Sequence, residues 1–124
     1  MDDRNLLERA AKAHGFIDDE TSNDEDSHGL RRNGQGIFYL VYKRGWHNWN
    51  PLHDDGDALR LLTRLPGRTL YVSEIGATVS WLRSDGSGHG FKCDEYANEH
   101  GGCLATATRR AITRAAAAMA GEGE

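Results

Sequence analysis

Apolar residues recur along the chain with two periods, and the change of period marks out the elements. In "RNLLERAAKAHGF" the residues Leu6, Leu7, Ala10, Ala13 and His14 fall at helical spacing, so a first helix is expected there. Asp2 or Asp3 can cap its start, and Gly15 can end it in the left-handed conformation. His14 would then lie near the last carbonyls, where a cation is favoured. "IFYLVYKR" (Ile37 to Arg44) is β-branched and aromatic and reads as a strand, apolar on both faces and therefore central. A second helix is expected from about Asp55 to Leu65, with Ala58, Leu59, Leu62 and Leu65 as its buried stripe and "PGR" (Pro66 to Arg68) as its stop. Thr69 to Ile75 and Ala77 to Arg83 read as strands on either side of Gly76, which alone is too short for a hairpin loop and suggests a bulge. In the second of these, Val79 and Trp81 face one way, Thr78 and Ser80 the other. "SDGSGHG" (Ser84 to Gly90) is rich in turn residues, and "GFKCDEY" adds a short third run. The strongest helix is "CLATATRRAITRAAAAMAG", with Leu104, Thr108, Ala111, Ile112, Ala115 and Met119 on one face and Gly121 at its close.

The order α-β-α-β-β-(β)-α places the chain in the α/β (α+β) class, with an antiparallel or mixed sheet of three to four strands and helices packed against it. Its 124 residues make a single domain, 1–124, large enough to bury about two thirds of its unfolded surface without staples. Ile17 to Gly36 interrupts the pattern: six acids, three glycines and almost no apolar residues read as a flexible acidic loop. Its acids come in adjacent blocks, which excludes the alternating oxygen ligands of a calcium loop.

Charge alters this picture little. The formal net charge is −4, yet six of the 19 acids lie between Asp18 and Ser27, leaving 13 against 15 Lys and Arg. The remainder is near neutral, which argues against generic nucleic-acid affinity without excluding a local basic face. No apolar run approaches the roughly 20 residues of a membrane span, and "MDDRNLLERA" lacks a signal-peptide core, so a cytoplasmic protein is expected. Cys93 and Cys103, in that compartment, are expected to be reduced more often than bridged.

Beside this stands a likeness. "WNPLHDDGDALRLL" (Trp49 to Leu62), a two-strand region and then "ATRRAITRAAAAMAG" (Ala107 to Gly121) resemble the phage ABA sandwich domain family, and "LLERAAKAHG" fits that family's first helix. The similarity covers about 70% of the chain; the core pattern W-N-P-L-x-D-D-G-D-A-L-R-L is its specific part. A weaker likeness runs to phage NinX-type proteins, through the N-P-x-x-D-x-x-D-A-like start of the helix. The departures are the acidic insertion, Asp18 to Ser27, and the Gly/His/Cys-rich segment Gly86 to Cys103. The resemblance implies an α/β/α layered fold, a phage or prophage origin and a bacterial host cell. It implies no catalytic residues.

Four constellations could carry chemistry. "HNWNPLHDDGD" reads first as a helix start: Asn50 before Pro51 makes a turn, Asp54 and Asp57 resemble a capping box with Asp in place of Glu, and three acids suit the helix dipole. Trp46 and Trp49 would cover the join of strand and helix. The same stretch is the candidate partner-binding surface, through Trp46, Trp49, His53, Asp54 and Asp55. A metal or acid/base site from His47, His53 and the aspartates is the remaining reading, His53 and Asp57 standing at i, i+4. Second, His89, Cys93, His100 and Cys103 are four potential zinc ligands within fifteen residues, in an unusual His-Cys-His-Cys order. A Cys93–Cys103 disulfide, or a Gly-rich loop with Cys103 buried as a small hydrophobe, are the alternatives. Third, Arg109, Arg110 and Arg114, with Arg31, Arg32, Arg60 and Arg64, could form a basic patch for nucleic acid or an acidic partner, or be the solvated back of a helix. Fourth, Ser73, Ser80 and Ser84 lack a nucleophile-elbow context, and there is no P-loop.

The expectation is a small phage or prophage accessory protein, a non-enzymatic binding module acting on a host or phage protein without a cofactor, with inhibition of a host defence system as one such role. The alternatives are a nucleic-acid-associated protein using the Arg face and a zinc protein using the His/Cys loop.

Overall fold

The fold is that of a computed structural model describing residues 3–18, 29–42, 45–65, 68–82 and 90–121. Helix α1 (Asp3–His14) leads into strand β1 (Phe16–Asp18); β2 (Gly29–Arg32), β3 (Phe38–Tyr42) and β4 (Gly45–Asn48) follow. Then come α2 (Asp55–Leu62), β5 (Thr69–Val72), β6 (Gly76–Leu82), β7 (Gly90–Tyr96), a 3-10 turn (Ala97–His100) and α3 (Leu104–Gly121). The α+β class and the succession of helices are as expected. The strands, however, divide between two sheets. One is four-stranded and mixed, β1-β2-β3-β4 with β1 parallel to β2; the other is antiparallel, β5-β6-β7.

The first sheet extends into the segment expected to be loop. Gly29–Arg32 pairs with Phe38–Tyr42, and Phe16–Asp18 pairs with Leu30 to Arg32, so 17–36 is not loop throughout. A four-residue strand with a single inward Leu30 is too short for its alternation to stand out against the polar residues around it. Residues 19–28, which hold most of the acidic stretch, lie outside the described residues. β3 is central, as its composition demands, and β4 returns beside it with Leu40 opposite His47 and Val41 opposite Trp46.

In the second sheet the hairpin turns at Glu74 and Ile75, where the Ser73 N–H donates to Gly76 O (2.9 Å). Gly76 is therefore neither loop nor bulge but the first residue of β6. A Cβ there would lie 2.2 Å from Glu95 O, so the approach of β7 requires glycine. Val79 and Trp81 point into the core and Thr78 and Ser80 away, as expected.

Helix α3 is buried on far more than one face. Ala107, Ala111, Ala115 and Ala116 are fully covered, and the helix packs against α1, α2, β6 and β7. Alanines allow this: their small side chains let neighbours on several sides come close. In α2 the buried stripe is Ala58, Leu61, Leu62 and Leu65, whereas Leu59 is 60% exposed. Helical spacing permits either choice, and the position of α3 selects one. The helix proper ends at Leu62; the proposed stop at Pro66 and Gly67 lies outside the described residues. No helix among the described residues is long and apolar enough to cross a membrane.

An aromatic chain joins the first sheet to α1. Phe16 stands edge-on to Phe38 (5.1 Å between centroids), Phe38 to Trp49 (5.9 Å), and Trp49 to His14 (5.9 Å). Gly15 ends α1 with φ +88° and donates to Ala11 O, the expected left-handed cap. His14 is not the favoured cation expected at that helix end. Burial pushes its pKa below the ordinary 6.5, against a hydrogen bond to Gly15 O and with help from the positive charges of Arg64 and Arg60. The sign follows: the unfolded chain takes up this proton more readily, so His14 supports folding above pH 6.5 and loses that support as pH falls through the depressed folded value. Urea denaturation is expected to give a stability that declines below pH 6.5, with a shallower decline in His14→Gln. An unchanged pH slope in the variant would place the titration elsewhere.

Candidate functional site

The join between β4 and α2 is built around one carboxylate. Asn50 Oδ1 accepts from Leu52 N–H (3.0 Å), and Asn50 O from the N–H groups of His53 and Asp54, folding the chain over buried Pro51. Asp54, extended at φ −124° and ψ 122°, caps α2 by accepting from Asp57 N–H (2.8 Å). This is half of the expected capping box. In place of the other half, the Asp57 side chain turns inward and has no exposed surface. It accepts from His47 Nε2 (2.9 Å), Asn50 N–H (2.9 Å) and Arg60 Nη2 (2.7 Å). Burial alone would raise its pKa; the hydrogen bonds from His47, Asn50 and Arg60 outweigh burial and hold the carboxyl below the usual carboxylate range. An ionised Asp57 fixes the proton of His47 on Nε2.

The partner of Asp57 is thus His47, across the strand–helix join, and not His53, which is exposed on the turn. An aspartate orienting an imidazole is also the supporting half of an acid–base pair. Here Asp57 binds a guanidinium and a backbone amide as well, so it braces β4 against α2. Both residues stand out in the sequence, but their pairing does not, because it depends on β4, whose polar "GWHN" carries no strand signal.

That brace sets the exposure of the neighbouring aromatics. Trp46, the residue before His47, is 67% exposed and stands edge-on to Tyr39 (6.0 Å) on β3. The two, with Ile37, Asn33 and Asn48, line a shallow cavity of about 470 Å³. In the sequence Ile37 and Tyr39 read only as part of a central strand, because an aromatic inside a strand pattern looks like core, and not as a binding surface. Trp49, expected beside Trp46 on a partner-binding surface, is only 4% exposed and belongs to the core. His53, Asp54 and Asp55 are exposed as that reading requires, but Asp54 caps α2 and Asp55 binds Arg109.

The three arginines of α3 do not make an open basic patch. Arg109 donates to Leu52 O (2.9 Å), to Asp55 Oδ1 (2.7 Å) and to Thr106 Oγ1 (3.2 Å), stapling α3 to the start of α2. Arg110 and Arg114 share a face, as expected, but they close on buried Glu95 at 3.2 and 3.4 Å, and Arg110 also reaches Asp3. Arg32 donates to Glu8 (3.4 Å) and lies over Phe16, and Arg31 is buried. Arg32, Arg109, Arg110 and Arg114 thus pair with carboxylates and cross-link elements.

In the His/Cys segment the two cysteines are likewise set apart. His89 lies outside the described residues. Cys93 faces the core from β7, and burial pushes its thiol up, away from the thiolate a metal needs. Cys103 is exposed at the start of α3, and both cysteines are free, so the Cys93–Cys103 disulfide and a buried Cys103 are both overturned. The strand faces inward at one and the helix start outward at the other. Among the described residues the ligand-type side chains that do converge are Glu95, Glu99 and His100. Two guanidiniums already sit on Glu95, which disfavours a cation there. A hydrogen bond from Thr106 lowers the Cys103 pKa.

No family model matches the chain, and neither a curated protein nor a solved structure matches it.

Two outcomes are expected. Asp57→Asn costs about 2–4 kcal/mol near neutral pH, since it leaves a buried donor and a guanidinium without their carboxylate. The folded carboxyl titrates below its ordinary 3.8, so its stabilisation is complete above that value and is lost as pH falls through the folded one; the variant lacks this acid limb in urea titrations. Wild-type stability in Asp57→Asn would remove Asp57 from the role of brace. Separately, a thiol reagent on native protein is expected to label Cys103 quickly and Cys93 only on unfolding. Equal labelling of both would contradict the burial of Cys93.

Proposed function

We propose that the protein is a non-enzymatic binding module of a phage or prophage, acting in the bacterial host cell by docking the aromatic face around Trp46 onto a host or phage protein. The observation that carries this reading is the exposure of Trp46 on a strand held rigid by its neighbour. His47 is anchored to fully buried Asp57, so the indole beside it is displayed on a fixed backbone. Trp and Tyr dominate interface hot spots because they bring large area at small entropic cost, and Asn33 and Asn48 supply a polar rim. The acid–base pair that the chain builds is occupied in bracing this face, which favours binding over catalysis. Phage origin is supported by the motif from Trp49 to Leu62 and the helix from Ala107 to Gly121, on which the resemblance to ABA sandwich proteins rests. An inhibitor of a host defence system is a role such a module can fill. Nucleic-acid binding would need arginines free of their carboxylates.

The test is capture from bacterial host lysate on immobilised wild-type protein and on Trp46→Ala, with mass spectrometry. One stoichiometric protein is expected, with affinity reduced tenfold or more (about 2 kcal/mol for a hot-spot tryptophan) in the variant. Folding stability should move by less than about 0.5 kcal/mol, as for other surface changes. A partner held equally by Trp46→Ala, or nucleic acid as the sole captured species, would sink the reading.

A further inference from the structure

Strand β5 ends its sheet. It has β6 on one side and, among the described residues, no strand on the other. All four of its residues are exposed, with Leu70 at 37%, Tyr71 at 65% and Val72 at 44%. Natural sheet edges are protected by shortness, lysine, proline, a bulge or an inward charge, and "TLYV" has only the first of these. Alongside runs an apolar groove of about 470 Å³ lined by Leu59, Leu70, Val72, Leu104 and Ile112.

Hydrogen-bond parity shows which groups the edge offers. The Ser73 N–H points at β6, to Gly76 O. In an antiparallel ladder, alternate residues share that direction, so Thr69 and Tyr71 also turn their polar groups to β6. Leu70 and Val72 turn theirs outward. An added antiparallel strand must therefore pair through residues 70 and 72.

The geometry points to a second copy of this chain as that strand, in a twofold antiparallel β5–β5 pairing centred on Tyr71. In this register Leu70 of each copy forms a hydrogen-bonded pair with Val72 of the other. The two Tyr71 residues meet on the axis as a non-hydrogen-bonded pair, the closer kind. Just beyond the strand ends, Arg68 of each copy comes towards Glu74, which begins the hairpin turn of the other, so the segment 68–74 is electrostatically complementary to itself. Shifting the centre by one residue either way keeps the parity but loses both charge pairs. Neither Arg68 nor Glu74 has an ion-pair partner among the described residues; the Arg68 Nη1 contact is to Leu65 O (3.3 Å). A twofold axis normal to the sheet keeps Leu70 and Val72 of both copies on the helix side, so the grooves lie side by side and the two three-stranded sheets become one of six. This face is separate from the one around Trp46, which lies on the other sheet.

Sedimentation equilibrium tests the pairing. Wild-type protein is expected to approach twice the 13.7 kDa chain mass as its concentration rises to about 100 μM. Val72→Pro removes an outward N–H without touching the β6 ladder, and is expected to be monomeric with an unchanged far-UV spectrum. Arg68→Glu or Glu74→Arg alone should weaken association about tenfold, by turning two attractive pairs repulsive, and the double exchange R68E/E74R should restore it. Trp46→Ala should remain dimeric. A monomeric wild type, a dimeric Val72→Pro, single exchanges without effect, a double exchange without recovery, or a monomeric Trp46→Ala would each overturn the proposal.

Discussion

The Asp57 carboxylate is the contact on which the join of the two halves of the chain depends. It is fully buried and receives hydrogen bonds from β4, from the turn after it and from the next turn of α2. A buried charge is tolerated only when it is paired and its lone pairs are filled, and three donors achieve that here. The cost of burial thereby becomes a positional constraint: β4, Asn50 and α2 must all be in place together. The exposed Trp46 inherits its fixed position from that constraint.

A second buried carboxylate plays the same part on β7. Glu95, buried on β7, draws in Arg110 and Arg114 from α3, while Arg109 reaches the carbonyl of Leu52 and the side chain of Asp55. Between these ionic fastenings α3 packs through alanine, which allows close approach on several sides but buries little area per residue. A lean core of this kind gains definition from directional polar contacts. This is why so many of its arginines point at acids of its own chain.

Among the described residues two exposed apolar surfaces stand apart: the Trp46 face on the four-stranded sheet and the β5 edge of the three-stranded one. Their chemistry differs. Around Trp46 an aromatic pair sits within an amide rim, suited to a side-chain-mediated interface. Along β5 the backbone itself is offered, with apolar residues on one face and opposite charges at the two ends, which suits another strand. The proposed partner and the proposed second copy would therefore occupy different surfaces at the same time.

The sequence by itself determined what depends on near neighbours. The three helices, the Gly15 cap, the Asp54 cap, the central strand Phe38–Tyr42 and the alternation of Val79 and Trp81 all follow from local spacing, since each repeats within a turn or a pleat. Only the tertiary structure decided contacts between residues distant in sequence. It chose Leu61 over Leu59 because α3 lies on that side, sent Trp49 inward against Phe38 and His14 while Trp46 stayed outside, and gave Asp57 to His47 instead of His53. It turned Cys93 and Cys103 to opposite environments and closed the α3 arginines on Glu95 and Asp55. Short polar strands such as Gly29–Arg32 and Gly45–Asn48 were illegible for the same reason: four residues carry too little alternation, and their pairing energy comes from a partner strand that local sequence does not contain.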